Sequence, residues 1–313
     1  FDSSVQVPDP RNNGQTTPIP FAEGCQDGLD VFPNTPTVTI LDFGQPWANT
    51  NPDGSVTYGA NILDGPFDFV SVDQIQGAAE WYLAGYWSCA PNTASVTLAI
   101  GTSNKHGATG FAHGAAWAAM VNAVENYITT PPTWASEETS SGAIDAELSD
   151  TWSGPAKTRA WADGYNSAAT QMYYDYGDCG GCEQTMQPCF QSVPGCSANA
   201  GWTQEDVWYI AWGEPTALAF PEIYTPANPP WNPYGPQAEE WQQLSLYGQW
   251  NHYGPIYFSG ALTQYQACQD HANPCLGEDN TPAEGWTDLD SALNAPGGTL
   301  QAPGYSSDIT WND

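Results

Sequence analysis

The chain has almost no positive charge. Its 313 residues include four Lys and Arg (Arg11, Lys105, Lys157 and Arg159) against 35 Asp and Glu, a formal net charge of −31. This excludes a nucleic-acid partner, because phosphate neutralisation requires Lys and Arg, and it disfavours anionic lipid for the same reason. The acidic count is ordinary, so the distinguishing feature is depletion of cations. Such depletion suits an acidic medium: carboxylates neutralise below about pH 4, and few fixed positive charges then remain to repel one another. Salt adaptation and plain solubility are the competing explanations.

Long apolar runs are also missing. No stretch of about 18 apolar residues occurs, so no membrane span is expected. No G-x-G-x-x-G or Walker loop is present, which removes the usual nucleotide-binding signals, and no G-x-S-x-G elbow marks a serine nucleophile. The four histidines, at 106, 113, 252 and 271, are scattered. No cofactor and no metal site are expected from them. Asp175-Tyr176-Gly177-Asp178 and Glu278-Asp279-Asn280 depart from the twelve-residue calcium loop and read as solvated acidic loops.

Eight cysteines, an even number, indicate an oxidising compartment. Phe1-Asp2-Ser3-Ser4 reads as a mature terminus left by removal of an export signal. Cys268 and Cys275 can close a short loop. Cys179, Cys182, Cys189 and Cys196 crowd a Gly-rich segment and read as local disulfides pinning a loop at about 177–203, with a zinc site as the alternative. Cys25 and Cys89 remain for a long-range pair. The 15 Trp and 16 Tyr supply flat rings with polar edges that suit sugar faces.

Residues 1–36 read as an irregular extension tied down by Cys25. From residue 37 to 313, strand and helix patterns alternate. Strands are predicted at 38–44, 67–72, 95–101, 143–148, 172–176, 206–213 and 255–259. Helices are predicted at 74–87, 111–128, ending before Pro131-Pro132, and at 155–169 and 286–294. Ala238–Leu246 mixes both patterns. This alternation implies parallel β/α units, and the number of strands suits a closed (β/α)8 TIM-like barrel.

The sharpest chemical signal is Asp145-Ala146-Glu147. In an extended chain, residues i and i+2 face the same way. The two carboxylates therefore project together while Ile144, Ala146 and Leu148 project into apolar surroundings. Paired carboxylates at the end of a buried strand are what glycosidic-bond hydrolysis needs, one protonated and one charged.

Leu41-Asp42-Phe43-Gly44-Gln45, Asp145-Ala146-Glu147, Trp208-Tyr209-Ile210-Ala211-Trp212 and Trp241-Gln242-Gln243-Leu244 follow in an order that resembles glycosyl hydrolase family 25, the barrel muramidases, and related glycoside hydrolase-like secreted bacterial barrels. The resemblance covers about residues 37–265. It implies Glu147 as general acid, Asp145 as a stabiliser of developing positive charge or of a substrate acetamido group, and Asp42 as a holder of a hydroxyl or water. Trp47, Trp212 and Trp241 become stacking platforms, with Gln242 beside them. The family's acid at the last strand is replaced here by Ile256-Tyr257-Phe258-Ser259-Gly260, leaving Glu214, Glu222 or Tyr257 to substitute. The expectation is a secreted glycoside hydrolase acting on a polysaccharide, cell-wall glycan or amino-sugar polymer. The alternative is a non-catalytic extracellular sugar-binding or self-associating structural protein on the same scaffold.

Overall fold

A computed structural model describes all residues except 1–5, 9–15, 63–68, 106, 131–133, 185–195, 228–232, 271–274, 276 and 310–313. His106, Pro131-Pro132, Cys189 and His271 lie outside the described residues. The fold is mixed α/β with a parallel sheet, as the alternation predicts. The chain forms two compact units: residues 1–143 with 163–173, and residues 144–162 with 174–313.

The first unit opens with an antiparallel pair, β1 (Gln6–Pro8) and β2 (Thr16–Pro18), followed by helix α1 (Ile19–Asp30). A helix inside 1–36 departs from the irregular extension read there. Pro20 sits in its first turn, where a missing N–H costs nothing. Gly24 and Gly28, which look like helix breakers in sequence, form the face that meets α2 (Val72–Cys89). A Cβ on Gly24 would lie 2.0 Å from the Tyr82 carbonyl oxygen, and one on Gly28 would lie 2.9 Å from that of Tyr86. The Cys25–Cys89 disulfide fastens the same two helices.

Strand β3 (Pro36–Asp42) pairs in parallel with β7 (Ser95–Ser103), with Asp42 opposite Gly101. Between them β4 (Gln45–Thr50), β5 (Val56–Asn61) and β6 (Phe69–Ser71) form an antiparallel sheet around the Asn51–Gly54 turn. Helix α3 (Phe111–Thr129) buries Trp117, Val121, Val124 and Ile128. His113 lies in this core, with a ring nitrogen 2.9 Å from the Gly59 carbonyl and its ring stacked on Trp117. Strand β8 (Glu138–Asp145) lies beside β7, and its last two residues belong to the second unit.

Helix α4 (Pro155–Ala168) starts in the second unit, and β9 (Tyr173–Asp175) follows. Residues 206–213, predicted as a strand, are instead helix α5 (Gln204–Trp208) continuing into a π-helical turn, Tyr209–Gly213. The physical reason is legible afterwards. Thr203 and Asp206 form a capping box, and the buried positions Gln204, Val207, Ile210 and Ala211 repeat at helical spacing. The second unit then holds β10 (Ala217–Ala219), α6 (Pro236–Trp250), β11 (Gly260–Thr263), α7 (Tyr265–Asp270), α8 (Pro282–Leu293) and β12 (Tyr305–Asp308). Trp241–Leu244, likened to a strand, lies inside α6.

The strands of this unit run side by side. The Tyr176 N–H donates to the Ile144 carbonyl at 2.9 Å. The Phe220 and Glu222 N–H groups donate to Asp175 and Gly177 at 2.8 and 3.3 Å, advancing together as parallel neighbours do. Parallel bridges Ala219–Phe258 and Glu222–Leu262 continue the series, and β11 pairs in parallel with β12. The C-terminal ends of all these strands therefore lie along one edge. Cys268–Cys275 closes the predicted short loop, Cys179–Cys182 is a local disulfide within the predicted Cys-rich loop, and Cys196 is also disulfide-bonded.

Candidate active site

The alternation read at the end of β8 is present in the structure. Ile144, Ala146 and Leu148 are buried, while Asp145 and Glu147 are half-buried on the other side of the chain. The strand ends at Asp145, so Glu147 stands just past it. Glu222 comes from the extended chain after β10 and is 8 % exposed. One carboxylate oxygen from each of Asp145, Glu147 and Glu222 lies within 4.8 Å of the others. Glu222 thus joins the two acids at the end of β8.

Gly177 allows this approach. A Cβ there would meet both the N and the O of Ala146 at 2.4 Å, so the β9 chain can lie against the backbone between the two acids only because the residue is glycine.

Further acids surround the trio. Asp178 accepts from the Leu148 and Gly180 N–H groups, each at 3.0 Å. Asp175 is 1 % exposed and accepts from the Gly177 N–H. Of the two acids read as a solvated loop, Asp175 is thus enclosed, because β9 ends among buried tyrosines, and Asp178 is half-buried. Glu240, on α6, accepts from the Gly181 N–H and from Gln184 Nε2. The Tyr224 hydroxyl donates to Glu222 Oε1 at 2.6 Å, and the Tyr224 N–H is held by Gln237.

Burial raises the carboxyls first, and their neighbours raise them further. Glu147 is pushed up to about 7, by burial and then by Asp178 and Glu278. Glu222 lies well above the usual carboxylate range through burial and the charge of Glu147, with the Tyr224 hydroxyl acting the other way. Burial also raises Asp175, Asp178 and Glu240, the last to about 7. The arrangement keeps protons on carboxyls at neutral pH. It can transfer a proton, and its oxygens could also hold a hard divalent cation.

The other residues singled out in sequence belong to elements of both units. Asp42 is exposed at the end of β3 in the first unit and accepts from the Gly44 N–H at 2.7 Å; Trp47 is half-buried on β4. Trp241 is fully enclosed in α6 and meets Phe258 edge-on at 6.0 Å, which leaves no ring face for a sugar. Gln242 is buried and donates to the Ala292 carbonyl. Trp212, Glu214 and Tyr257 lie before β10 and β11, at the N-terminal ends of strands. Glu214 accepts from the Tyr209 hydroxyl. Asp175 and Asp178 read in sequence only as a solvated acidic loop, and nothing in the local pattern marks Tyr224; the available signal was an acid ending the apolar Tyr173-Tyr174-Asp175. No protein-family model, curated protein or solved structure matches the chain.

Proposed function

We propose that the chain is a secreted glycoside hydrolase acting on a polysaccharide or amino-sugar polymer. The observation that carries this reading is the meeting of Asp145, Glu147 and Glu222 oxygens within 4.8 Å at the C-terminal ends of parallel strands. Glu147, raised to about 7, serves as the general acid that protonates the leaving oxygen. Asp145 stabilises positive charge at the sugar or orients an acetamido group. Glu222, oriented by Tyr224, supplies the third carboxyl.

The short separation favours retention, in which the carboxyls stand about 5–5.5 Å apart, over inversion, which needs roughly 6.5–9.5 Å for an intervening water. The finer fold we infer is a (β/α)8 barrel, supported by the succession of parallel strands with helices between them and by acids at strand C-termini. The disulfides support an extracellular, oxidising location.

The test is turnover of a polysaccharide and peptidoglycan panel from about pH 3 to 9, on either side of the Glu147 value. Glu147→Gln should lower turnover by roughly 10²–10⁴-fold. Wild-type activity should decline as pH rises through about 7, where Glu147 loses its proton. Equal turnover by the two proteins would remove the enzyme reading.

A further inference from the structure

A set of rings in the second unit lies away from the carboxylates. Trp208 and Trp212, four residues apart, project from α5 and the π-helical turn. Trp208 packs on Tyr253 with centroids 4.7 Å apart and planes 30° apart. Trp212 meets Tyr257 at 5.8 Å and 54°. Tyr253 is 44 % exposed and Tyr257 is 60 % exposed, while both tryptophans are half-buried.

These rings are held from beneath. A Cβ on Gly248 would lie 2.6 Å from Trp208 Nε1, and one on Gly213 would lie 2.8 Å from the same indole, so Trp208 is seated between two glycines. The Arg159 guanidinium lies 4.0 Å over the Tyr209 ring and bonds Asp206 at 2.9 Å, fixing the helical turn that carries both tryptophans. Positive φ at His252 (64°) and Gly254 (89°) bends the chain that presents Tyr253. Helical segments of π type are rare and recur at functional sites.

The location separates this surface from the acids. Trp212 precedes β10 and Tyr257 precedes β11, whereas Asp145, Glu147 and Glu222 stand at or beyond the other ends of their strands. From Ala217 to Glu222 the extended chain alone spans about 16 Å.

We propose that Trp208, Trp212, Tyr253 and Tyr257 form a second carbohydrate-binding surface, for an uncharged pyranose chain, distinct from the carboxylate site. The surface offers flat faces with polar rims, which stack on the C–H faces of sugars. Among the described residues, the large apolar side chains exposed in the second unit are Tyr253, Tyr257 and Leu300, so aliphatic side chains contribute little to it, unlike a protein-docking face. Arg159 is engaged by Asp206, and a net charge of −31 repels uronate or sulfated chains.

Calorimetric titration of the full chain with cellohexaose, chitohexaose and an oligogalacturonate tests this. Wild type should bind at least one neutral hexamer and not the uronate. Tyr257→Ala and Tyr253→Ala, at exposed positions, should each weaken binding roughly two- to tenfold, and Glu147→Gln should bind as wild type does. The proposal is overturned if wild type binds neither neutral hexamer, if the tyrosine variants bind unchanged, or if Glu147→Gln alone abolishes binding. It is equally overturned if sedimentation shows that the rings are covered in a dimer that Tyr257→Ala dissociates. Binding through Tyr257 without turnover of any polymer would leave this surface standing and remove the hydrolase reading.

Discussion

In the first unit Glu138 is enclosed at the start of β8, 1 % exposed, and burial raises it to about 8. His113, also enclosed, is lowered to about 4 and bonded to a backbone carbonyl. In the second unit Asp145, Glu147 and Glu222 stand together, and the charges of Glu147, Asp178 and Asp175 add to the burial that raises Glu222. A buried carboxyl outside such a cluster reads as a cost of packing. A group of carboxyls raised by one another can exchange protons, and that requires several strands to deliver acids to the same edge. Perturbed titration alone therefore does not mark a site, whereas perturbation with convergence does.

Cross-linking differs in the same way between the units, and removing it should produce the largest stability effect. Cys25–Cys89 joins residues 64 apart, whereas Cys179–Cys182 and Cys268–Cys275 join residues 3 and 7 apart. Loop-closure entropy assigns about 4 kcal/mol to the long link and about 2 kcal/mol to each short one. Replacing both Cys25 and Cys89 with Ala should lower the denaturant midpoint well beyond the loss from the Cys268/Cys275 pair. Equal losses would place the stabilising constraint elsewhere.

Glycine substitutions should give a smaller loss and sharpen the contrast. Gly24→Ala drives a methyl into the Tyr82 carbonyl, and Gly177→Ala drives one into the Ala146 backbone. Each should cost at least about 2 kcal/mol, because rigid backbone must move. Gly24→Ala should leave turnover per folded molecule intact. Gly177→Ala should lower turnover as well, since Ala146 lies between Asp145 and Glu147. If both variants kept full turnover, the close approach at Gly177 would not be what sets the carboxylate geometry.

Much of the fold was legible because local pattern and final burial agreed. Val96, Leu98 and Ile100 mark β7, Trp117 to Ile128 mark α3, and the i, i+2 spacing brought Asp145 and Glu147 together. Two kinds of information were hidden. Gly24, Gly28 and Gly85 act through what their missing Cβ allows a neighbouring helix to do, which no local periodicity reports. Trp208–Trp212 has strand-like composition, yet the Thr203–Asp206 capping box and the buried Val207, Ile210 and Ala211 make it helical. Glu222 was named only as one possible substitute, because its partner acids are more than 70 residues away in sequence and only strand pairing joins them.

The smallest effect expected is the pH dependence of stability, and it tests the acid-tolerance reading of the missing cations. Glu138, Glu147, Glu240 and Asp288 are raised to about 8, 7, 7 and 6, chiefly by burial. Each binds its proton more tightly folded than unfolded, so its contribution is complete below about pH 4.5 and is lost as pH rises through the folded value. His113 acts in the opposite sense: held neutral with a value of about 4, its contribution is present above about pH 6.5 and is lost as pH falls through 4. The melting temperature should therefore climb from pH 8 to a maximum between about pH 4 and 5, then turn down. Glu138→Gln, which keeps the shape and removes the ionisation, should raise the melting temperature at pH 8 by several degrees and change it little at pH 4.5. In Glu147→Gln, where the carboxyl is half-buried and screened by solvent, the gain should be smaller. A scanning-calorimetry profile that peaked near neutral pH and collapsed by pH 3, with no gain from Glu138→Gln at pH 8, would mean that the depletion of Lys and Arg serves solubility rather than acid.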